Sequence, residues 1–471
     1  LREGVQVFTF DFSGHGRSEG TLFLDNASTD LQSEQVLDAL LAFQKVSGLE
    51  LDQIFLIGHS LGARVAVQAV VMNELEVAGL ILLGPQINLL PNTQSEFFTG
   101  TTDLDIEWIG KLGTDEPDVP ILMITGSWED VIPVAAAEAL QAQWTGEDAV
   151  LIGMEYGETP ATREWQLLPA VFHNFEIYSP RALNNSVDWV GEKIGMEFDN
   201  TQMINPSTRK IVFWFSAMIG ILLFLSGALQ FTNKHSVPPL ENALIIEGRK
   251  RFLAAKYWLW FPAILVGAVV LTPFFFLPVG LPLFNIYYVV FIGGYGVLTL
   301  FLYLLGKMPG VSGKLSLAKA LQLPESINWR NVIGLNMLLM LFLLLFARSG
   351  WFWIPPTGDR SIWLLIFIPF TTAGFWSGTF DQTLLKEEDH RGKKVIQLTG
   401  FFPFIIYAIL MLAIGSWSGL ISGLIGLLVL WIVFQQGKIT TQLTGSQWLA
   451  ALFQAILLYL IILPQGVLFS F

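Results

Sequence analysis

A serine in a glycine-flanked pentapeptide is the first residue of this chain whose setting suggests nucleophilic chemistry. Ser60 is the centre of Gly58–Gly62, whose sequence GHSLG fits the pattern G-x-S-x-G. The run Ile54–Ile57 before it is short and apolar, as in a buried strand, and Ala63–Val71 after it has the character of a helix. A sharp turn between the two would expose the serine oxygen and direct the next backbone N–H, that of Leu61, at a developing oxyanion.

A serine nucleophile needs a base, and the chain has five histidines. His173 is the best placed, because it follows the last predicted strand and precedes a helix, where a loop can hold an imidazole over Ser60. His59 lies on the turn itself, and we expect local geometry to direct it away from the hydroxyl. The other three fall in a glycine-rich loop or in loops of the apolar second half: His15, His235 and His390.

The base in turn needs an acid that orients it. Asp130 follows the predicted buried strand Ile121–Thr125 and precedes Pro133, which opens the next helix. The neighbouring Glu129 is an alternative for the same role. No two histidines have a metal-ligand spacing with carboxylates, so we expect no metal and no other cofactor.

These motifs resemble those of the α/β-hydrolase superfamily, closest to its serine-aminopeptidase and monoacylglycerol-lipase-like branch. Four stretches carry the resemblance: Asp11–Ser18 (DFSGHGRS), Gly58–Gly62, Gly126–Pro133 and the surroundings of His173. The resemblance implies a serine hydrolase of the esterase, lipase or peptidase-like kind. It implies the following roles: nucleophile Ser60, base His173, orienting acid Asp130, and one oxyanion donor from the N–H of Leu61.

The same resemblance implies a second oxyanion donor, from a loop after an earlier strand. The chain begins at Leu1 with its first predicted strand already under way. We therefore expect the N-terminal strands of the fold, that loop and any leading signal or anchor helix to be missing from this sequence.

The elements that must position these residues alternate along the first 200 residues. Strands are predicted at Val5–Phe10, Ile54–Ile57, Leu80–Leu83, Ile121–Thr125 and Trp165–Phe172. Helices are predicted at Leu31–Phe43, Ala63–Met72, Ala135–Gln143 and Ala182–Ile194. Alternation of this kind predicts an α/β domain with a mostly parallel sheet and helices on both faces.

The second part of the chain has a different composition. The whole chain is 53% hydrophobic and 14% charged, with a mean hydropathy of +0.55. Residues 201–471 contain eight apolar segments, most of them near the length of about 20 residues that crosses a bilayer: Ile211–Phe231, Tyr257–Val279, Leu283–Leu305, Val332–Ala347, Ile362–Phe380, Phe401–Trp417, Leu420–Phe434 and Trp448–Phe469. The loops between them are numbered in chain order, so that Lys256 is the last residue of the first loop. The sequence therefore predicts a domain at 1–200, a linker at 201–210, and an all-α polytopic transmembrane domain of about eight helices at 211–471. Asp381 is the only acid that abuts a predicted span and could matter, and it lies at the end of that span. Ionisable residues are otherwise absent inside the spans, which argues against a proton- or ion-coupled pump.

Charge is distributed as unevenly as hydropathy. Residues 1–200 hold 8 Lys+Arg and 31 Asp+Glu, whereas residues 201–471 hold 18 and 8. The loops between predicted spans also differ, with fourteen Lys+Arg in the odd-numbered loops and two in the even-numbered ones. Because basic loops stay cytoplasmic, we expect a multipass protein of the cell membrane with its first domain outside the cytoplasm.

A segment of 35 residues, 85–119, lies where a cap over the site is expected. Its aromatic residues are candidates for lining a substrate pocket: Phe97, Phe98 and Trp108. The segment also holds seven acids, which would favour neutral or cationic substrates. We expect a small-molecule, lipid or peptide acyl substrate, the lipid bilayer as partner, and no nucleic acid.

Two classes of function fit this sequence. The first is a membrane-tethered serine hydrolase that cleaves an ester or amide through an acyl-enzyme, or an acyltransferase that uses the same triad with an alcohol acceptor. The second is a membrane transporter or scaffold whose hydrolase-like domain only binds. A binding module has no need of serine, histidine and acid together, so the first is favoured.

Overall fold

The chain forms two compact units, an α/β unit and a helical unit. The α/β unit comprises Leu1–Phe12, Phe23–Arg209 and Met411–Leu420, and the helical unit comprises Ser13–Leu22, Lys210–Leu410 and Ile421–Phe471. A computed structural model describes residues 6–16, 18–23, 27–87, 89, 118–158, 161–198, 206–238, 244–276, 286, 288–324, 327–350, 358–385, 389–413, 416–462 and 469–470.

The α/β unit contains a five-stranded sheet with the strand order β1-β2-β3-β5-β4. Its strands are β1 (Phe55–His59), β2 (Gly79–Leu83), β3 (Ile121–Gly126), β4 (Glu155–Tyr156) and β5 (Arg163–Leu168). The helices of this unit are α1 (Ala27–Ser47), α2 (Leu61–Met72), α3 (Val134–Thr145) and α4 (Pro180–Ile194). Strands β1, β2, β3 and β5 run parallel, and β4 pairs antiparallel with β5 at the edge. The prediction of a mostly parallel sheet is confirmed.

The central strands are buried because helices cover them. Every residue of β2 and β3 is buried, as expected of near-continuous apolar runs in a parallel sheet. The apolar side of α2 packs with α1 and the sheet in one core, to which Val65, Val67 and Leu80 belong. A second, smaller core packs Trp189 of α4 with residues of β2 and β3. The carboxyl ends of the parallel strands therefore meet at one edge, where ligands bind in open α/β sheets.

The first predicted strand is not a strand in the structure. Residues 6–10 pair with no strand of the described chain. Instead the ring of Phe8 stacks on that of Phe43 in α1, with 5.3 Å between centroids. An alternating apolar run predicts a strand from its own residues alone, whereas a strand also needs a neighbour with free backbone groups.

The helical unit is mostly α-helix. Its helices are α5 (Pro206–Lys234), α6 (Arg249–Trp258), α7 (Trp260–Leu271), α8 (Gly294–Leu305), α9 (Leu317–Ala320), α10 (Trp329–Gly350), α11 (Asp359–Leu384), α12 (His390–Ala413), α13 (Trp417–Thr444) and α14 (Gln447–Ile462). A π-helical turn, Val289–Gly293, runs directly into α8. Two short strands, β6 (Ile245–Ile246) and β7 (Val311–Ser312), pair antiparallel.

Several of these helices are suited to a bilayer. Among the described residues, five are long and apolar enough to cross a membrane: Val212–Lys234, Trp329–Phe346, Asp359–Leu384, His390–Ala413 and Gly419–Thr444. The pair Arg249–Trp258 and Trp260–Phe274, bent by 47°, adds a sixth if it is one broken span. Large apolar side chains such as Phe215, Leu223 and Leu265 are exposed on the outer faces of this unit. Exposure on that scale suggests a membrane protein.

Candidate active site

Ser60 lies on a strained turn between β1 and α2. Its φ of 56° and ψ of −121° are rare for a residue with a side chain, and such strain concentrates at functional sites. The strand and the helix approach closely at Gly58, where an added Cβ would lie 2.5 Å from the backbone of Ala63. Glycine at this position therefore allows the sharp turn that presents the serine side chain at the carboxyl end of β1.

The structure brings His173 to Ser60. Nε2 of His173 is 2.8 Å from Oγ of Ser60, which is a hydrogen-bond distance. His173 opens a 3₁₀ turn, His173–Tyr178, that follows β5 after a short loop. The imidazole is buried, with 3% of the residue exposed. A serine and a histidine in this contact have the geometry that a nucleophile and its general base require.

The acid that meets this histidine differs from the one predicted. The sequence analysis places Asp130 there, but Oε1 of Glu129 lies 2.9 Å from Nδ1 of His173. The N–H of Glu129 donates to the carbonyl oxygen of Gly126 at the end of β3, which closes a tight turn. The residue that this turn brings to the imidazole of His173 is Glu129, the alternative that the sequence analysis leaves open for the role of the acid.

The environment of Glu129 keeps its carboxylate charged. Its Oε1 also accepts hydrogen bonds from the N–H groups of Val131 and Ile132, at 3.0 and 3.1 Å. Burial acts to raise the pKa of Glu129, but His173 and the backbone donors outweigh it and hold the pKa below its usual value. A charged carboxylate on Nδ1 fixes the tautomer that leaves Nε2 free to accept the serine proton.

A second carboxyl group, that of Glu176, lies beneath this pair. Glu176 is fully buried, and its Oε1 accepts a hydrogen bond of 2.6 Å from the N–H of Gly126. Burial, and then the neighbouring charge of Glu129, raise the pKa of Glu176 to about 10, so this group is protonated at neutral pH. Gly84, with a φ of +46°, leaves room for it, since an added Cβ would lie 2.2 Å from Oε2 of Glu176.

His59 also belongs to this cluster, although the sequence analysis directs it away from the hydroxyl. Its Nε2 is 3.0 Å from the carbonyl oxygen of His173 and 3.7 Å from Oε2 of Glu176. Burial, and then the charge of His173, lower the pKa of His59 to about 4, so its imidazole is neutral at pH 7. His59 therefore contacts the loop that carries His173.

The sequence analysis does not single out Glu176. The feature that could have identified it is its spacing of three residues from His173, because one turn of helix brings two residues at this spacing to the same side of the helix.

The cluster has a geometry that the sequence spacing does not suggest. Ligand-type atoms of His59, His173 and Glu176 all lie within 4.8 Å of one another. The sequence argues against a metal because no two histidines have a metal-ligand spacing, whereas the fold brings His59 to His173 and Glu176 although His59 is far from them in the chain.

The remaining predicted site residues fall in two groups. Leu61 is the first residue of α2, so its N–H is among those at a helix start that have no acceptor within the helix. It lies at the positive end of the helix dipole, next to Ser60. The predicted pocket residues, Phe97, Phe98 and Trp108, lie outside the residues that the structure describes.

Comparison with known families agrees with the α/β architecture. Residues 1–103 match the family model described as serine aminopeptidase, S33. The match covers the motifs at Asp11–Ser18 and Gly58–Gly62 but less than a quarter of the chain. With the parallel sheet and the turn at Ser60, it supports an α/β-hydrolase domain in the first part of the chain. A search among curated proteins finds no match.

Several solved structures match part of this chain at low similarity. SOBER1 of Arabidopsis thaliana is 14% identical, with 36% of this chain and 66% of that chain covered and a TM-score of 0.24. A monoacylglycerol lipase of Paleococcus ferrophilus is 14% identical, with 39% and 82% covered and a TM-score of 0.26. A soluble variant of monoglyceride lipase from Saccharomyces cerevisiae is 14% identical, with 39% and 76% covered and a TM-score of 0.24. This chain thus spans slightly less than two thirds of SOBER1, and likenesses at these TM-scores carry no argument about function.

Proposed function

We propose that this protein is a membrane-tethered serine hydrolase that cleaves an ester or amide bond through an acyl-enzyme. The observation that carries the proposal is the continuous series of contacts from Ser60 through His173 to Glu129, with 2.8 Å and 2.9 Å between the contacting atoms. An intact nucleophile, base and orienting acid have a use in acyl transfer and none in simple binding.

In the acylation step, His173 accepts the proton of Ser60 through Nε2 while Oγ attacks the substrate carbonyl carbon. The negative charge that develops on the carbonyl oxygen is stabilised by the N–H of Leu61 at the start of α2. When the tetrahedral intermediate collapses, His173 gives the proton to the leaving alcohol or amine. Ser60 then carries the acyl group as an ester.

In the deacylation step, water takes the place of the leaving group and His173 removes its proton. Attack on the acyl-enzyme releases the carboxylic acid and returns the proton to Ser60. Glu129 stays charged throughout and stabilises the imidazolium that forms in each step. An alcohol in place of water would give acyl transfer by the same residues.

The helical unit would act as the membrane tether in this proposal. The division at 1–200, 201–210 and 211–471, the location in the cell membrane, and the position of the hydrolase domain outside the cytoplasm stay predictions. The acyl substrate is proposed as a small molecule, lipid or peptide. Neutral or cationic substrates should be favoured, because residues 1–200 hold 31 Asp+Glu against 8 Lys+Arg.

The test is the substitution Ser60→Ala in the full chain, purified in detergent. Turnover of a p-nitrophenyl ester should fall by a factor of order 10⁴ or more, as for other triad nucleophiles, while the thermal unfolding profile stays unchanged. A variant that retains a tenth of the wild-type rate would contradict the assignment of the nucleophile.

A fluorophosphonate probe separates an enzyme from a binding module without knowledge of the substrate. The probe should label the wild-type chain and leave Ser60→Ala unlabelled, because only an activated serine displaces its leaving group. Absence of labelling in the folded wild-type protein would favour the transporter or scaffold reading. Addition of an alcohol acceptor to the ester assay, with analysis of products, separates hydrolysis from acyl transfer.

A further inference from the structure

The core of the helical unit contains an ion pair. Lys256 of α6 and Asp381 of α11 are each 1% exposed, and Nζ of the lysine lies 2.6 Å from Oδ2 of the aspartate. The hydroxyl of Tyr303 in α8 donates to the other carboxylate oxygen, Oδ1, over 2.5 Å. The sequence analysis counts Lys256 as a loop residue and Asp381 as the end of a span, but both lie inside the packed helices.

Aromatic rings surround the ammonium group of Lys256. Its Nζ lies 5.1 Å from the ring centre of Tyr295, 5.5 Å from that of Tyr303 and 6.0 Å from that of Phe252. These contacts stabilise a positive charge. Among the described residues, the titratable groups that face one another here are Lys256, Asp381, Tyr295 and Tyr303.

A cavity lies against the carboxylate of Asp381. Its volume is about 40 Å³, which is room for a few water molecules. Its lining is mostly apolar, and the polar residues Asp381, Gln382, Gln397 and Thr399 contribute to it. Gly378 also lines the cavity, and an added Cβ there would meet nothing within 4 Å. A carboxylate that borders a cavity of this size has room for water beside it.

Stability alone does not account for this pair. Removing two charges from water costs several kcal/mol per ion, and well-packed apolar side chains often serve equally well. A second pair, between Arg249 and Asp389, already joins the start of α6 to the residue before α12, and it does so at the surface. Ionisable groups inside membrane helices are costly and commonly mark the pathway of an ion or a proton.

We propose that Asp381 and Lys256 form a proton-exchange site in the helical unit, supplied through water in the adjoining cavity. A water-borne proton binds a lone pair of the Asp381 carboxylate and forms a neutral carboxylic acid, while Lys256 keeps its ammonium charge; the reverse step returns the proton to water. A metal cation is disfavoured, because one carboxylate oxygen already faces the ammonium and the other the hydroxyl of Tyr303. The helical unit then has a chemical role beyond that of an anchor.

The test is infrared difference spectroscopy on the full chain in nanodiscs, with acidic buffer compared with alkaline buffer. The wild-type protein should gain a protonated-carboxyl band in acid that Asp381→Asn lacks, and the band should shift in heavy water because the site exchanges with solvent. The matched control is the double variant Arg249→Gln, Asp389→Asn. It removes the exposed ion pair between Arg249, on the same helix as Lys256, and Asp389, and it should keep the band. Glu176→Gln identifies the contribution of the buried carboxyl in the α/β unit.

A second variant keeps the test decisive if Asp381→Asn does not fold. Lys256→Gln leaves the carboxylate in place but removes the ammonium beside it, so the band should appear at a pH higher by about one unit or more. A pair with a purely structural role stays ionised in both buffers. A wild-type spectrum identical to that of Asp381→Asn, or a transition that Lys256→Gln does not move, would overturn the proposal.

Discussion

At the scale of single residues, we expect substitution of two neighbouring acids, Glu129 and Asp130, to have different effects on the rate of ester hydrolysis. Glu129 contacts Nδ1 of His173, whereas Asp130 is the next residue along the turn. We expect Glu129→Gln to reduce kcat/KM for a p-nitrophenyl ester by a factor of order 10² to 10⁴, because an amide neither fixes the tautomer nor stabilises the imidazolium. Asp130→Asn is the matched control and should leave the rate close to that of the wild type. The reverse ranking of the two variants would restore Asp130 as the acid.

The buried carboxyl of Glu176 predicts a dependence of stability on pH. Its folded-state pKa of about 10 is above the ordinary value of 4.5, so between these values the folded protein holds a proton that the unfolded chain has released. This contribution to stability is complete below the lower value and is lost as the pH rises, with a slope of at most about 1.4 kcal/mol per pH unit.

Glu176→Gln should therefore flatten the decline of the apparent melting temperature between neutral and alkaline pH. The amide keeps the size of the neutral acid but has no proton to lose. Melting curves of the purified chain in a series of buffers check this, with Ser60→Ala as a control that leaves the carboxyl in place. Parallel declines in the wild type and in Glu176→Gln would show that another group is responsible.

At the scale of elements, the turn between β1 and α2 distinguishes two glycines of one motif. An added Cβ at Gly58 would lie 2.5 Å from the backbone of Ala63, whereas one at Gly62 meets nothing within 4 Å. Gly58→Ala should lower the free energy of unfolding by about 1–3 kcal/mol and displace Ser60. Gly62→Ala lies in the first turn of α2 and should be neutral or stabilising by up to about 1 kcal/mol. Thermal unfolding together with probe labelling of both variants checks this, and equal effects would contradict the close approach at Gly58.

The elements also show which parts of the molecule sequence patterns can predict. The apolar runs that became β2 and β3 were predictable because a buried parallel strand reads as a short continuous apolar segment. The run that became β1 gave the same signal, although Ile57 in that strand is 63% exposed. The edge strand β4 has two residues and no such pattern. The choice of Glu129 over Asp130 depends on how one turn folds back on β3, and the burial of Glu176 depends on the space left at Gly84. Contacts of this kind join residues far apart in the chain, which no local pattern records.

The same reasoning applies to Lys256 and Asp381 in the helical unit. A lysine beside an apolar segment predicts a solvated loop, because the sequence does not show which face the residue presents. In the structure α6 is bent by 47° from the next helix, and the lysine is buried against α11 and α8. The sequence places both residues at the ends of predicted spans, but it does not show that both side chains are buried among the packed helices.

At the scale of the whole molecule, the odd-numbered loops of the helical unit contact one another. The first and third loops pair through β6 and β7, with Ile245 opposite Ser312. The first and seventh are joined by the hydrogen bond from the N–H of Val237 to the carbonyl oxygen of Gln442. The first and fifth loops are joined by the Arg249–Asp389 pair. These four loops therefore meet at one end of the helical unit.

The last prediction concerns the side of the membrane on which the odd-numbered loops lie. The odd-numbered loops hold fourteen Lys+Arg and the even-numbered loops two, and basic loops stay cytoplasmic, so the odd loops should be inside and the segment before the first span outside. The chain has no cysteine, which allows a direct measurement with single introduced thiols. Val46→Cys, in the 85% exposed position near the end of α1, and Ser316→Cys, exposed in the third loop, would be treated in intact cells with a membrane-impermeant maleimide. We expect the first to be labelled and the second to be labelled only after the cells are permeabilised. The opposite pattern would place the α/β unit in the cytoplasm, and labelling of both thiols after permeabilisation controls for their accessibility.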